Sequence, residues 1–167
     1  MKTDNERLEK IKLLEGTFTN KQVELFDLIL DKIDDVNYFG HLGTFGVSNG
    51  KILALYSNHL KENEKILAFD NKELTDDYKN TIINSIKKTS NMMLKDLCYE
   101  SSNIYDYSFP NMVKSSYFYK NLKFLFINAS KDGLDVKDML EKADLLLSKD
   151  GIIAIKDWNN PLYFSLT

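Results

Sequence analysis

The sequence has little of what marks a secreted, metal-binding or membrane-spanning protein. It contains one cysteine, Cys98, and two histidines in 167 residues, so an internal disulfide cannot form and no zinc cluster is expected. No apolar stretch reaches the roughly 18 residues of a membrane-spanning helix. The amino terminus leads into charged residues rather than an apolar signal sequence. We therefore expect a cytoplasmic protein that binds no membrane and no metal.

A surplus of basic residues is also missing. Lysine and arginine number 22 against 25 aspartates and glutamates, which gives a formal net charge of -3. Domains dedicated to nucleic acids usually carry a basic surplus, and the lysines here are scattered among acids. We therefore expect a mixed, solvated surface and no nucleic-acid partner.

Proline is scarce, and no linker or repeat divides the chain. The two prolines are Pro110 and Pro161, and both fall in segments that we interpret as loops. A length of 167 residues suits one domain. We predict one structural unit, in which amino-terminal helices of residues 1–36 pack on an α/β domain of residues 37–167.

The first forty residues have the apolar spacing of helices. Leu8, Ile11 and Leu14 recur on one face of a first helix. Thr19 is followed three residues later by Gln22, the arrangement of a capping box, which predicts where a second helix begins.

Short apolar runs alternate with helical patterns through the rest of the chain. The apolar runs lie at residues 38–42, 65–70, 92–96, 123–128 and 151–156. We interpret residues 97–121 as a loop with room for a short helix. The run at 123–128 is almost wholly apolar, as in parallel strands that are covered on both faces. This alternation predicts an α/β fold with a doubly wound, mostly parallel sheet and amino-terminal helices.

Such a sheet predicts where a ligand binds: beyond the carboxyl ends of the strands, where the strand order reverses. The turn predicted at residues 41–46 contains Gly43 and Gly46, which permit tight turning and a close approach of backbone to ligand. Asp70 follows Gly43 by 27 residues (70 minus 43), at the end of the next strand. A carboxylate there can accept hydrogen bonds from both hydroxyls of a ribose. The two features together predict a nucleotide site.

Three segments resemble motifs of the class I S-adenosylmethionine-dependent methyltransferases, in a branch that acts on small molecules and sugar-like compounds. Residues 41–50, HLGTFGVSNG, resemble E-[IL]-G-T-[FY]-x-G-x-S. Residues 126–138, FINASKDGLDVKD, resemble F-I-D-G-x-H-x-Y-x-x-V. Residues 145–158, LLLSKDGIIAIKDW, resemble L-L-K-P-G-G-I-I-A-[IF]-H-D-[WY]. The resemblance covers most of residues 19–158 and implies a Rossmann-like fold with S-adenosylmethionine as cofactor.

The resemblance also implies roles for individual residues. Asp70 would hold the ribose, Asp96 would lie near the adenine, and Asn128 takes the place of the acid after the fourth strand. Four residues of the first motif would line the cofactor site, mainly its methionine part: His41, Gly43, Thr44 and Phe45.

The sequence departs from the family pattern at chemically important positions. His41 replaces the glutamate of the first motif, and Val47 stands where its second glycine falls. Residues 128–131 lack the acid and the histidine of D-G-x-H. Lys156 replaces the last motif's histidine, so Lys156 and Asp157 are the candidates left for a general base. Methyl transfer depends mainly on the placement of the acceptor, and turnover is therefore left open.

The end of the sequence departs as well. Members of the family usually add two strands after the last motif, whereas residues 159–167 suffice for one short strand. Since an open sheet edge invites pairing, we expect the tail to cover its own edge or to pair across a homodimer.

Three functions remain open at this point. The first is methyl transfer to a small-molecule or sugar-like acceptor, and the second is a catalytically degenerate binding module on the same fold. The third is a nicotinamide-dependent oxidoreductase, since Asp70 would serve a dinucleotide's ribose too, although the turn lacks the spacing G-x-G-x-x-G.

Two further features have competing interpretations. His59 lies among polar residues, and we expect it to be solvated at a helix terminus. The five tyrosines of the next stretch could form an aromatic acceptor pocket or simply pack on the sheet: Tyr99, Tyr105, Tyr107, Tyr117 and Tyr119.

Overall fold

The computed structural model describes residues 5–70, 75–89, 96–100, 108–128 and 136–156. The helices of these ranges are α1 Asn5–Lys12, α2 Asn20–Asp35, α3 Lys51–Ser57, α4 Asp76–Thr89, α5 Phe109–Lys114 and α6 Val136–Leu146, with a short 3₁₀ turn at Ser48–Gly50. The strands are β1 His41–Phe45, β2 Ile66–Phe69, β3 Leu97–Glu100, β4 Leu122–Ile127 and β5 Leu147–Ile155. Among the described helices, none has the length and apolar character needed to cross a membrane.

The five strands form one parallel sheet in the order β3-β2-β1-β4-β5. The chain moves outward from β1 through β2 to β3 and then returns to the other side of β1 with β4 and β5. The strand order therefore reverses between β1 and β4, and a crevice for a ligand is expected at the carboxyl ends of these two strands. The predicted doubly wound parallel α/β sheet is confirmed.

Both faces of the sheet are covered, which is why β4 is buried along its whole length. On one face α1 to α4 pack against the strands, and the rings of Phe26 and Phe126 meet edge to face with centroids 5.0 Å apart. On the other face α5 and α6 cover residues such as Leu67 and Leu125. The capping box of α2 is confirmed: Gln22 N–H donates to the Thr19 hydroxyl, and the Gln22 side chain accepts from Thr19 N–H.

Two boundaries differ from the sequence prediction. The segment predicted as a turn at residues 41–46 is strand β1 as far as Phe45, and the turn starts at Gly46. The third strand was predicted at residues 92–96 but lies at Leu97–Glu100, within the stretch that we interpreted as a loop; residues 91–95 fall outside the described ranges. The loop interpretation was wrong for Leu97–Glu100, because β3 is a half-buried edge strand whose sequence is less apolar than the run before it.

Candidate functional site

The carboxyl ends of the strands are aligned by a row of backbone hydrogen bonds. In each of them, the residue after one strand donates its N–H to the carbonyl that ends the neighbouring strand. The bonds are Lys156 to Ile127 (2.9 Å), Asn128 to Phe45 (2.9 Å), Gly46 to Phe69 (2.7 Å) and Asp70 to Glu100 (3.3 Å). We call Asp70, Gly46, Asn128 and Lys156 the strand-end row. Since neighbouring strands lie about 4.8 Å apart, the row spans about 14 Å.

The turn at the centre of the row requires glycine. Gly46 has a φ of 88°, which side chains rarely tolerate. A Cβ there would lie 3.2 Å from Cβ and 3.3 Å from the carbonyl oxygen of Asn128. The Thr44 hydroxyl donates to the Gly46 carbonyl at 2.8 Å, which holds the turn from its strand side. A side chain at Gly46 would therefore be directed against Asn128, where the strand order reverses.

Asp70, at the end of β2, forms hydrogen bonds to the turn after β1 and to α4. Its Oδ2 atom accepts hydrogen bonds from Val47 N–H and from the Tyr78 hydroxyl, each at 3.1 Å. Burial and the negative charge of Asp70 raise the pKa of Tyr78 above its usual range. Burial and the same charge raise the pKa of Tyr99 to about 12. Both phenols therefore stay protonated at neutral pH beside the carboxylate.

Sequence reasoning did not place Tyr78 at the site. Its position eight residues after Asp70 gives no sign of the contact. Tyr99 was counted among five tyrosines of a predicted pocket, and its nearness to Asp70 follows from the parallel pairing of β2 with β3.

His41 lies at the amino end of β1, five residues before Gly46 and so about 16 Å from the strand-end row. Its Nδ1 accepts from Lys65 N–H at 3.1 Å, and its ring packs edge-on against Phe118 with centroids 5.1 Å apart. Burial, the largest influence, lowers the pKa of His41 below its usual 6.5. The structure does not bring His41 together with the other predicted cofactor residues.

The next predicted residues lie within β1. The Gly43 carbonyl accepts from the Tyr56 hydroxyl at 2.9 Å, and a Cβ on Gly43 would lie 2.4 Å from Leu122 Cδ1. Gly43 therefore serves the packing of the sheet. Thr44 is fully buried, and Phe45 packs on the ring of Phe69 at 5.4 Å. Of these three, Phe45 ends the strand next to the row, and their contacts with a cofactor stay predictions.

The remaining candidates also lie at opposite ends of the strands. Asp96 directly precedes β3, so it lies at the amino end of that strand, and Glu100 is the acid at the carboxyl end. Asn128 and Lys156 both belong to the strand-end row. Asp157 lies outside the described residues, as do Tyr105 and Tyr107.

The prediction that His59 is solvated was wrong. His59 is 2% exposed, and its Nε2 and Nδ1 lie 2.9 Å and 3.2 Å from carboxylate oxygens of Asp27 and Asp34. Burial alone lowers the pKa of His59, but the hydrogen bonds and charges of the two carboxylates outweigh it and raise the pKa. The partners come from α2, so no local pattern around His59 reveals them.

A buried ion pair continues this cluster at the amino ends of the strands. Lys123 Nζ lies 2.7 Å from a Glu64 oxygen, with both side chains fully buried, and 3.4 Å from Asp34. The Glu64 carboxylate also accepts from the N–H groups of Gly40 and Lys61. These charges satisfy one another on the side of the sheet opposite to the strand-end row. In the described part of the chain, no group of three or more His, Cys, Asp or Glu residues has an arrangement that could hold a metal ion.

The parallel sheet, with its order reversing between β1 and β4, defines a Rossmann-like α/β fold, the fold of class I methyltransferases. No protein-family model matches the sequence, and no curated protein matches it. Solved structures do share the fold. The O-methyltransferase TomG from Streptomyces achromogenes, in complex with S-adenosylmethionine, superposes with a TM-score of 0.59 at 12% identity, over 91% of this chain and 65% of that chain.

Two more structures resemble the chain to the same degree. The methyltransferase PaMTH1 of Podospora anserina, bound to S-adenosylhomocysteine, gives a TM-score of 0.56 at 16% identity, over 91% of this chain and 60% of that one. A Corynebacterium glutamicum protein gives 0.56 at 12% identity, over 93% of this chain and 59% of that one. The chain thus spans about three fifths of the length of the solved proteins it matches. At identities this low, what the superpositions show is a common fold.

Proposed function

We propose that the protein binds S-adenosylmethionine along the strand-end row and transfers its methyl group to a small-molecule or sugar-like acceptor. The observation that carries this proposal is the junction of the left-handed turn at Gly46 with the carboxylate of Asp70, at the reversal point of the sheet. Two proteins of the same fold are described with S-adenosylmethionine or S-adenosylhomocysteine bound.

The residues of the row fit such a ligand chemically. At Gly46 the missing side chain lets a ligand approach the backbone, since a Cβ would fill the space toward Asn128. Asp70 can accept ribose hydroxyls, with a ribose hydroxyl joining or replacing the Tyr78 phenol as donor. Asn128 offers an amide beside the turn. The cofactor would supply an activated methyl group on a sulfonium, so the chain's main task is to place the acceptor.

The acceptor side of the row carries Lys156. Its position at the end of β5 puts it two strands from Gly46, about 10 Å away. Lys156 and the neighbouring Asp157 are our candidates to orient an acceptor or to accept its proton. We propose a small molecule over a nucleic acid because the chain carries a net charge of -3.

A binding module without turnover is the second candidate function. Asn128 favours it, because an amide stands where the methyltransferase branch that the sequence resembles has an acid. An amide can hydrogen-bond a cofactor but cannot act as a general base.

Calorimetry with S-adenosylmethionine, S-adenosylhomocysteine and NAD separates these functions. We expect binding of the first two and none of NAD. Formation of S-adenosylhomocysteine with a panel of hydroxyl and amine acceptors then identifies an enzyme, and cofactor binding without any product identifies a module. Binding of NAD alone would favour an oxidoreductase, and binding of none would refute the cofactor assignment.

We also propose that the edge strand β5 takes part in a homodimer. β5 forms one edge of the described sheet, and Ile152 on it is 41% exposed. The edge strand of a sheet can pair with a second copy. Light scattering should give a dimer mass that Ile152→Lys shifts toward the monomer, and a monomer mass for the unmodified chain would contradict the proposal.

A further inference from the structure

A pocket lies on the face of the sheet that α5 covers. It has a volume of about 140 Å³ and lies between β2, β3, α5 and the turn that follows α5. A cavity of about 150 Å³ is large enough to hold benzene. Its floor consists of buried apolar side chains: Leu67, Phe69, Val113 and Phe118.

Polar groups converge on one side of this pocket. Cys98 Sγ lies 2.9 Å from the Tyr117 hydroxyl, and Glu100 lines the wall two residues further along β3. Burial, the hydrogen bond to Cys98 and the nearby charge of Glu100 all raise the pKa of Tyr117. The phenol is therefore uncharged at neutral pH, and Glu100 is the acidic residue of the described lining.

We propose that this pocket binds a neutral compound with one aromatic ring and a hydrogen-bond donor, such as a phenol or an arylamine. The volume admits one ring, and the rings of Phe69, Tyr117 and Phe118 line it. The carboxylate of Glu100 accepts the ligand's donor and repels a ligand carboxylate. The pocket lies on the α5 face, and no residue of the strand-end row is among its lining residues; the two adjoin at Glu100, whose carbonyl accepts from Asp70 N–H.

The protein carries its own reporter of the pocket, because Cys98 is its one cysteine. We expect phenol and aniline to slow the alkylation of Cys98 by iodoacetamide in a saturable way. At a ligand concentration ten times Kd, a rate slowed about tenfold is expected if the occupied form does not react. Benzoate and S-adenosylhomocysteine should leave the rate unchanged. The result with S-adenosylhomocysteine separates this pocket from the proposed cofactor site. If the protein did not bind that cofactor at all, phenol should still protect Cys98.

Variants at the pocket wall sharpen the test. Met112 lines the pocket and is partly exposed, so Met112→Trp should fill the space and abolish protection by phenol in a protein with unchanged thermal unfolding. Glu100→Gln should allow benzoate to protect, whereas the exposed control Glu62→Gln should not. If Met112→Trp does not fold, Met112→Ala provides the test. Its enlarged pocket should accept 2-naphthol, which should then slow the alkylation of Cys98. Protection that does not saturate, or that persists in folded Met112→Trp, would overturn the proposal.

Discussion

The backbone N–H of Val47 donates a 3.1 Å hydrogen bond to Oδ2 of Asp70, so the acid after β2 holds the turn after β1. Asp70 is 9% exposed, and its carboxylate also accepts from Tyr78 of α4. A turn that is held in shape before a ligand arrives loses less conformational entropy on binding. Asp70 therefore has a structural role as well as its proposed role toward a ribose.

Replacing Asp70 tests both roles at once. In Asp70→Asn the amide offers one acceptor oxygen instead of two, so we expect a loss of about 1–3 kcal/mol in the free energy of unfolding. We also expect S-adenosylhomocysteine to bind about tenfold more weakly or worse, measured by calorimetry. Asp150→Asn makes the same change at an exposed position of β5 and should alter neither quantity. Unchanged affinity in a folded Asp70→Asn protein would remove this residue from the site.

The turn at Gly46 should be intolerant of side chains. Gly46→Ala forces a Cβ residue to a φ of 88°, and we expect a loss of about 1–2 kcal/mol in urea unfolding. Gly46→Asn places the same Cβ near Asn128, but asparagine tolerates left-handed backbone better, so its loss should be smaller. Because both variants add a Cβ at the same place, the difference between their losses in the free energy of unfolding measures the cost of the left-handed backbone. Losses below about 0.5 kcal/mol in both would contradict the conformation assigned to this turn.

His59 should make stability depend on pH. Its folded pKa lies above the unfolded value of 6.5, so its contribution is fully present below pH 6.5 and is lost as the pH rises through the folded pKa. The lowered pKa of Asp34 acts at the acid end, since its contribution is present above pH 3.8 and is lost as the pH falls through the folded value.

Urea unfolding of the natural chain and His59→Gln measures the difference. We expect the stability difference between the two proteins to be largest between about pH 4 and 6.5 and to shrink toward alkaline pH. His41 has a lowered pKa and so favours folding less as the pH falls below 6.5. Since His41 is present in both proteins, its contribution cancels. A difference that grows with rising pH would contradict the assigned ion pairs.

Replacing only one member of the ion pair between Lys123 and Glu64 should strongly destabilise the protein. Lys123→Met leaves Glu64 buried without its cation, and we expect a loss of about 3–5 kcal/mol in the free energy of unfolding. Lys123→Met combined with Glu64→Gln removes the unpaired charge, so the double variant should be more stable than the single one. Additive losses in this double-mutant cycle would show that the two side chains do not interact.

Much of the fold could be predicted from the sequence because it depends on local patterns. The capping box at Thr19 and Gln22 determines where α2 begins, and the apolar run at 123–128 matches β4 within one residue. The third strand was misplaced because an edge strand needs few apolar residues. Whether Gly43 or Gly46 turns the chain depends on φ, which the residue type alone does not reveal.

The site was less predictable because its contacts cross long stretches of sequence. Asp70 was found from its place at the end of a strand, but its bond to Val47 joins residues 23 positions apart. The buried environment of His59 depends on Asp27 and Asp34, which lie 32 and 25 positions away. Such contacts exist only once the sheet and its helices have assembled.

The most direct test of the cofactor site is a ¹H–¹⁵N spectrum recorded during titration with S-adenosylhomocysteine. We expect saturable shifts at the amides of Gly46, Val47, Asp70 and Asn128, and unchanged amides at His41 and Cys98, which lie away from the strand-end row. A spectrum without shifts at saturating ligand, or shifts centred on His41 or Cys98, would contradict the account.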